Sequence, residues 1–314
     1  MSESILTVLG EDRIGYGAMQ LAGSGVWGNP TDVDGAVAVL RAAVDAGVRF
    51  FDTANAYGPR TVNQLIARAL HPYRDDLIIG NKVGATRGQD GSWISDNTPD
   101  TLRRQVREAL DDLRTDVSEL TYLRLGGDGQ APPSDVPLEE ALGALVELRD
   151  EGVIHRIGLS GATPDQLRQA QHVTPVAAVQ NRFNLLDRSG VEVLADCEAQ
   201  RIPFVPYFPL ASGLLQERAL EPPARRLDVS PTQVALAWML RRSPALVPIP
   251  GTSSVQHLHE NVAAAAIAAR LTDDEVAALT ALADESRARL AQPHPSTREA
   301  LQGLAAAVKP THDS

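Results

Sequence analysis

RIGLSGATPDQLRQAQHVTPVAAVQNRF (156–183) holds two short β-branched runs, RIGLS (156–160) and VAAVQNRF (176–183), separated by a stretch at helical spacing, 165–171. Each run leads into Gly, Asn or Ser, and the intervening segment is long enough to cross back over a sheet, so the unit reads as strand, helix, parallel strand. The same alternation extends in both directions. Upstream lie RIGYGAMQL (13–21), VRFFDT (48–53), LIIGNKV (77–83) and LTYLRL (120–125), and downstream lie PFVPYF (203–208) and ALVPIP (245–250). Helical segments fall between them at 34–46, 63–70, 99–113, 138–151, 190–200 and 230–241. Eight strands alternating with helices predict an α/β fold, a closed (β/α)8 TIM barrel spanning 1–314 as one domain. ILTVL (5–9) followed by Gly10-Glu11-Asp12 reads as an N-terminal β-hairpin plugging the barrel floor, and 293–314 as a C-terminal tail that either covers the pocket or stays free. A doubly wound open sheet is the competing fold, but no G-x-G-x-x-G opens a helix in this chain.

Composition narrows the function classes. The net charge of −11 is spread along the chain, which argues against a broad nucleic-acid surface. At 43% hydrophobic residues the chain can bury a full core, yet no uninterrupted apolar run reaches the 18 residues or so that a membrane span needs. Met1-Ser2-Glu3-Ser4 is no basic prelude to an apolar stretch, so a cytoplasmic location is the expectation. The one cysteine, Cys197, has no second thiol to pair with and reads as a packed residue. No metal centre is expected, and nothing in the pattern decides an oligomeric state.

A barrel gathers its chemistry at the C-terminal ends of its strands. The polar residues there are Asp52, Tyr57 just beyond it, Lys82, Arg124, Ser160, Gln180 with Asn181, Tyr207, and the turn Gly251-Thr252-Ser253. Several follow apolar runs, where an ionisable group without a partner is costly to desolvate. Asp52, Tyr57 and Lys82 make chemical sense together, because an ammonium beside a phenol favours its loss of a proton and an aspartate holds that ammonium in place. Reduction of a carbonyl needs a hydride on carbon and a proton on oxygen, and such a phenol can supply the proton. The plainer alternative has Asp52 capping a turn with Lys82 as a structural ion-pair partner.

FDTANAYG (51–58), NKVG (81–84), RIGLSG (156–161), AVQNRFN (178–184), PYFPLASGLL (206–215) and IPGTSSVQHLHEN (249–261) resemble, in order, motifs of the aldo-keto reductase superfamily. GYGAMQLAGSGVWG (15–28), YLRLGGDG (122–129) and PGTSSV (250–255) are similar to its bacterial pyridoxal reductase (pyridoxine 4-dehydrogenase) subgroup. The resemblance implies an NAD(P)H-dependent reductase of a small aldehyde or ketone, pyridoxal among the candidates, with Tyr57 as general acid and Asp52 and Lys82 as its tuning pair. The fourth member of the family's catalytic set is usually histidine, and here Arg124 stands in that position. An arginine presents a planar fork of donors and stays charged, so it can anchor a carbonyl, phenolate, carboxylate or phosphate but cannot shuttle protons. It either replaces the histidine as an electrophilic anchor or marks a site with weaker carbonyl chemistry.

For the cofactor, the resemblance implies contacts from Ala18 and Met19, the carboxamide held by Ser160 and Gln180, and the nicotinamide ring stacked on Tyr207. Taken alone, Tyr207 reads as core. Pro209, Leu210, Ser212 and Gly213 would follow the pyrophosphate, under a lid formed by 211–229. Gly251, Thr252, Ser253 and Gln256 open a helix whose amides favour phosphate, with Glu260 and Asn261 at the adenine. Many relatives place a lysine or arginine there for a 2′-phosphate, where this chain has Gly251 and His257. NADP is the expected cofactor, with NAD as the alternative. Trp27 and Trp93 are the expected substrate walls, although Trp93 could equally anchor a surface loop. Competing functions are an NADP(H)-binding sensor with slow turnover, and a reductase of C=N or C=C bonds.

If Arg124 is the electrophilic anchor, Arg124→Ala raises KM and lowers kcat together. Steady-state kinetics equal to wild type would remove it from the mechanism.

Overall fold

A computed structural model describes residues 4–127, 131–210 and 218–290. Seven parallel strands form its central sheet: β1 (Tyr16–Gly17), β2 (Phe50–Ala54), β3 (Ile78–Val83), β6 (Leu120–Arg124), β7 (Ile157–Ser160), β8 (Val179–Arg182) and β9 (Phe204–Tyr207), hydrogen-bonded in that order. The remaining two strands, β4 (Ala85–Arg87) and β5 (Trp93–Ser95), make an antiparallel hairpin directly after β3.

The predicted eighth strand, 245–250, closes the ring without forming a regular ladder. Val247 N–H donates to the Phe204 carbonyl (2.9 Å), Gly15 N–H to that of Pro248 (2.9 Å), and Gly17 N–H to that of Pro250 (3.4 Å). Pro248 and Pro250 have no N–H to return, so the segment accepts along this seam and donates little. The eightfold barrel is therefore nearly closed, with seven regular strands and one proline-interrupted member. The first strand is also shorter than predicted, because after Gly17 the chain turns into a 3-10 helix, Ala18–Leu21.

Helices surround the sheet in the expected alternation: α2 (Val33–Asp45), α3 (Thr61–Leu70), α4 (Pro99–Leu113), α5 (Leu138–Asp150), α6 (Pro164–Val173), α7 (Val191–Gln200), α8 (Glu221–Leu227), α9 (Pro231–Arg242), α10 (Val255–Ala268) and α11 (Asp273–Leu290). Among the described residues no helix is long and apolar enough to cross a membrane. Cys197 is buried in the helix layer, its thiol pushed up to about 12 by burial, in keeping with a packing role.

The predicted N-terminal hairpin is instead a helix, α1 (Ile5–Leu9). Ile5 and Leu9, one turn apart, are its buried face, and Gly10 stops it in the left-handed region at φ 62°. Position rather than type was legible: Ile5 and Leu9 pack with Phe50, Ile78, Leu120 and Tyr122 inside the barrel, while Arg49 donates to the Val8 and Leu9 carbonyls. The predicted C-terminal tail lies outside the described residues.

Room inside the ring is tight at the closing seam. A Cβ on Gly17 would stand 2.6 Å from the Ile249 carbonyl oxygen, and one on Gly251 would stand 2.7 Å from that of Gly17. Gly17→Ala therefore forces backbone apart and is expected to cost about 1–3 kcal/mol in chemical denaturation. Wild-type stability would contradict the close approach of β1 to the proline segment.

Candidate active site

The strand ends open into a cavity of about 370 Å³. Asp52 from β2, Lys82 from β3, Arg124 from β6, Ser160 from β7, Gln180 from β8 and Tyr207 from β9 all line it, so one ring of strand termini brings these predicted residues together. Tyr57 reaches it from the turn after β2 and is buried. Backbone register explains the neighbours: Ala54 pairs with Lys82, Arg124 with Ser160, and Ser160 with Gln180.

An ion pair with both side chains 3% exposed sits at the centre. Lys82 Nζ donates to Asp52 Oδ1 (2.6 Å), Asp52 Oδ2 (2.7 Å) and the Thr53 carbonyl (2.9 Å), which commits all three ammonium hydrogens. Burial pushes the lysine below its ordinary value; the charge and hydrogen bonds of Asp52 oppose this, and the nearby Arg124 adds to it. The ammonium lies 5.0 Å from the centroid of the Tyr57 ring. Gln180 Nε2 donates to Asp52 Oδ1 at 2.7 Å, which makes this glutamine part of the ion-pair network. A further side-chain hydrogen bond joins Gln180 to the Tyr122 phenol.

Tyr122 on β6 is fully buried next to this network, its phenol pushed well above the usual range by burial and by the Asp52 charge. Gly80 and Gly158 make space for it, since a Cβ at either would fall 2.9 Å or 2.6 Å from its ring. Sequence reasoning passed over Tyr122 because it reads as an ordinary strand interior.

Arg124 is 4% exposed, and its guanidinium carbon lies 5.1 Å from the Trp93 ring. Trp93 in turn meets Tyr57 edge to face, with ring centroids 6.3 Å apart. The hairpin that carries Trp93 is tied down by a residue that had drawn no attention, Arg87. Its guanidinium carbon lies 4.4 Å from the Trp93 ring and 5.5 Å from that of Trp27, and it donates to the carbonyls of Gly25, Val26 and Gly91. The two predicted substrate tryptophans thus share one arginine. Neither lines the cavity itself, and Trp27 is 43% exposed, so they stand beyond it. Of the motif YLRLGGDG (122–129), residues 128 and 129 lie outside the described residues.

Of the remaining predicted cofactor residues, Met19, Pro209, Leu210 and Gly251 line the cavity. Ala18 is fully buried and does not. Ser212 and Gly213 lie outside the described residues. Thr252 is buried, and its hydroxyl and the Ser254 hydroxyl are used in the turn, accepting from Ser254 N–H (3.0 Å) and His257 N–H (3.3 Å). Ser253 and Gln256 are exposed near the start of α10, where Gln256 donates to Glu260 (3.0 Å), and Asn261 is buried. Phe208, Thr232 and Ile249 line the cavity without having been singled out. Phe208 follows Tyr207 and holds a left-handed φ of 51°, whereas Thr232, at the start of α9, gave no local signal.

The chain belongs to the aldo/keto reductase family, whose model matches residues 13–284. It is 44% identical over 255 residues to a pyridoxine 4-dehydrogenase of Escherichia coli, covering 81% of this chain and 89% of that one. It is 38% identical over 258 residues to an uncharacterized oxidoreductase of Schizosaccharomyces pombe, covering 82% of each. Among solved structures it resembles an aldo/keto reductase of Klebsiella pneumoniae in complex with NADP and acetate, with a TM-score of 0.71, 26% identity, and coverage of 86% of this chain and 90% of that one. The protein is an oxidoreductase of this family.

Arg87→Ala removes the shared pin of two of the three tryptophans. Expected are a red-shifted tryptophan emission and a stability loss of about 1–2 kcal/mol, from hydrogen bonds given by a charged donor. Emission and melting identical to wild type would mean that Arg87 does not hold this wall.

Proposed function

We propose that this protein is a single-domain, cytoplasmic reductase that converts an aldehyde or ketone to the alcohol with NADPH, and that pyridoxal, giving pyridoxine, is its leading substrate. The observation that carries the reading is the buried Lys82–Asp52 pair with the Tyr57 ring 5.0 Å from the ammonium, all at one cavity. The similarity to a pyridoxine 4-dehydrogenase supports the substrate.

The residues fit a nicotinamide dinucleotide. Ser160 and Gln180 at the cavity wall offer partners for a carboxamide, Tyr207 and Phe208 an aromatic surface, and Gly251 leads to the α10 N-terminus. When bound, the reduced nicotinamide supplies the hydride that goes to the carbonyl carbon. Tyr57 gives its phenolic proton to the carbonyl oxygen, so that hydride and proton together complete a two-electron reduction. Lys82 stabilises the negative charge left on Tyr57, and Asp52 keeps Lys82 charged and fixed. Arg124 orients the acceptor, and Tyr57 regains its proton from solvent. Preference for NADPH rests on the NADP and NADPH complexes of the Klebsiella relatives. Within 251–261 there is no lysine or arginine, so Ser253, Gln256 and helix amides would meet a 2′-phosphate.

The test is loss of reduced-nicotinamide absorbance with pyridoxal and a panel of aldehydes and ketones. Tyr57→Phe is expected to lower kcat by about 10²- to 10⁴-fold and to keep cofactor affinity. Wild-type turnover in that variant would remove Tyr57 as proton donor, and tight NADPH binding with no turnover on any carbonyl would favour the nucleotide-sensing alternative.

A further inference from the structure

Behind the cavity, three asparagine carboxamides and a hydroxyl join in one buried chain that the proposed reaction does not use. Thr53 Oγ1 donates to Asn63 Oδ1 (2.7 Å), Asn63 Nδ2 to Asn81 Oδ1 (3.2 Å), Asn81 Nδ2 to Asn55 Oδ1 (2.8 Å), and Asn55 Nδ2 to the Gln105 main-chain carbonyl (2.8 Å). All five residues are buried, and none of them lines the cavity. A main-chain carbonyl only accepts, so Asn55 must turn its Nδ2 to Gln105 and its Oδ1 to Asn81. The same constraint passes to Asn81 and then to Asn63, which leaves each amide one orientation. Bonds that run in one direction polarise and strengthen each other. Burying carboxamides is nevertheless costly, and apolar side chains would fill the same space with less desolvation. Stability alone does not account for the chain.

What it holds is the turn that carries Tyr57. β2 ends at Ala54, and Tyr57 lies three residues beyond it, so no strand ladder fixes its ring against Lys82. Asn55 bridges that gap. Its N–H donates to the Lys82 carbonyl (3.2 Å), and its side chain joins Asn81, next to Lys82 on β3, to Gln105 on α4. Gln105 is fastened in turn to the segment that leaves β3: its Oε1 accepts from Gly84 N–H (2.7 Å), and its Nε2 donates to the Ala85 carbonyl (3.1 Å). These three partners of Asn55 thus belong to β3 or are tied to its exit, and β3 is the strand of Lys82. The Asn55 carbonyl accepts from Arg60 N–H (2.7 Å), which closes the turn on the far side of Tyr57.

Resting on the proposed role of Tyr57 as proton donor, we infer that Asn55 is a positioning residue for it. Asn55 locks the turn 54–58 to β3, so that the Tyr57 ring keeps its place 5.0 Å from the Lys82 ammonium and offers its hydroxyl to the acceptor oxygen in one geometry. The rate is sensitive to such placement, since a displacement of about 1 Å costs on the order of a hundredfold. Because Asn55 does not line the cavity, its replacement leaves the nucleotide's own contacts in place.

The single-turnover rate of NADPH oxidation by pyridoxal is to be measured for the full-length wild type, Asn55→Ala, Tyr57→Phe and the double variant, with NADPH affinity from fluorescence titration. Asn55→Ala is expected to slow the reaction about ten- to hundredfold while the Kd for NADPH stays within about twofold. Added to Tyr57→Phe, the same substitution is expected to slow it by less than about twofold further, because Asn55 acts through the Tyr57 hydroxyl. Equal slowing in both backgrounds, or a wild-type rate in Asn55→Ala, overturns the inference. If Asn55→Ala does not fold, Asn81→Ser, which shortens the donor to Asn55 Oδ1, enters the same cycle with the same expected non-additivity.

A wild-type rate in Tyr57→Phe, or no turnover of pyridoxal at all, is a failure of the proposed reduction instead, and the placement of the ring is then read without catalysis. In protein labelled with 13C-tyrosine, one signal of the five tyrosines is assigned to Tyr57 by its loss in Tyr57→Phe. That signal is expected to broaden or split in Asn55→Ala or Asn81→Ser, while those of Tyr16 and Tyr73 keep their wild-type shape. A Tyr57 signal identical to wild type overturns the locking role.

Discussion

The buried contact between Lys82 and Asp52 is the constraint on which the mouth of this barrel depends. Two opposite charges with 3% exposed side chains contribute little net stability, because desolvation offsets most of their attraction. Removing one of them is another matter, costing about 3–5 kcal/mol through the charge left behind. The pair also fixes its surroundings: Gln180 is drawn to Asp52 across 128 residues of sequence, the Thr53 carbonyl accepts the third ammonium hydrogen, and Tyr57 is left with a cation near its ring. An arrangement that contributes little to stability and organises so many polar groups is accounted for by the chemistry proposed for it.

The barrel supplies this arrangement by bringing together the ends of strands that are far apart in the chain. Phe50, Tyr122 and Ile249 fill the interior below, and α1 seals the floor. Gly80 and Gly158 admit the Tyr122 ring, while Gly17 and Gly251 let the first strand approach the proline segment. Above, the β4–β5 hairpin brings Trp93 against both Tyr57 and Arg124. Arg87 then ties that hairpin to the loop of Trp27. Strands thus place Asp52 and Lys82, the turn after β2 places the proposed proton donor beside them, and a hairpin held by one arginine places the outer wall.

Much of this was legible because strand ends are marked by a change from apolar to polar residues, and Asp52, Lys82, Arg124, Ser160 and Gln180 all occur at that change. Element type failed where local pattern admits two periods. ILTVL is apolar at nearly every position, so the helical spacing of Ile5 and Leu9 becomes visible only when the barrel floor covers both. The eighth strand was placed correctly, but Pro248 and Pro250 deny it the donors of a regular ladder. Arg87 and Thr232 carried no signal, since their roles arise from contacts with the loop of Trp27 and with residues distant in sequence. The attachment of Gln180 to Asp52 is likewise a property of the closed ring.

If the ion pair is there for chemistry, its charge can be removed as a unit without losing the fold. The most direct measurement is the single-turnover rate of NADPH oxidation by pyridoxal in Asp52→Asn/Lys82→Met, alongside its unfolding free energy. Neutralising both partners leaves no uncompensated charge, so stability should stay within about 2 kcal/mol of wild type. The rate is expected to fall by at least about a hundredfold. A double variant that folds and transfers hydride at the wild-type rate would show the pair to be structural and would contradict the account.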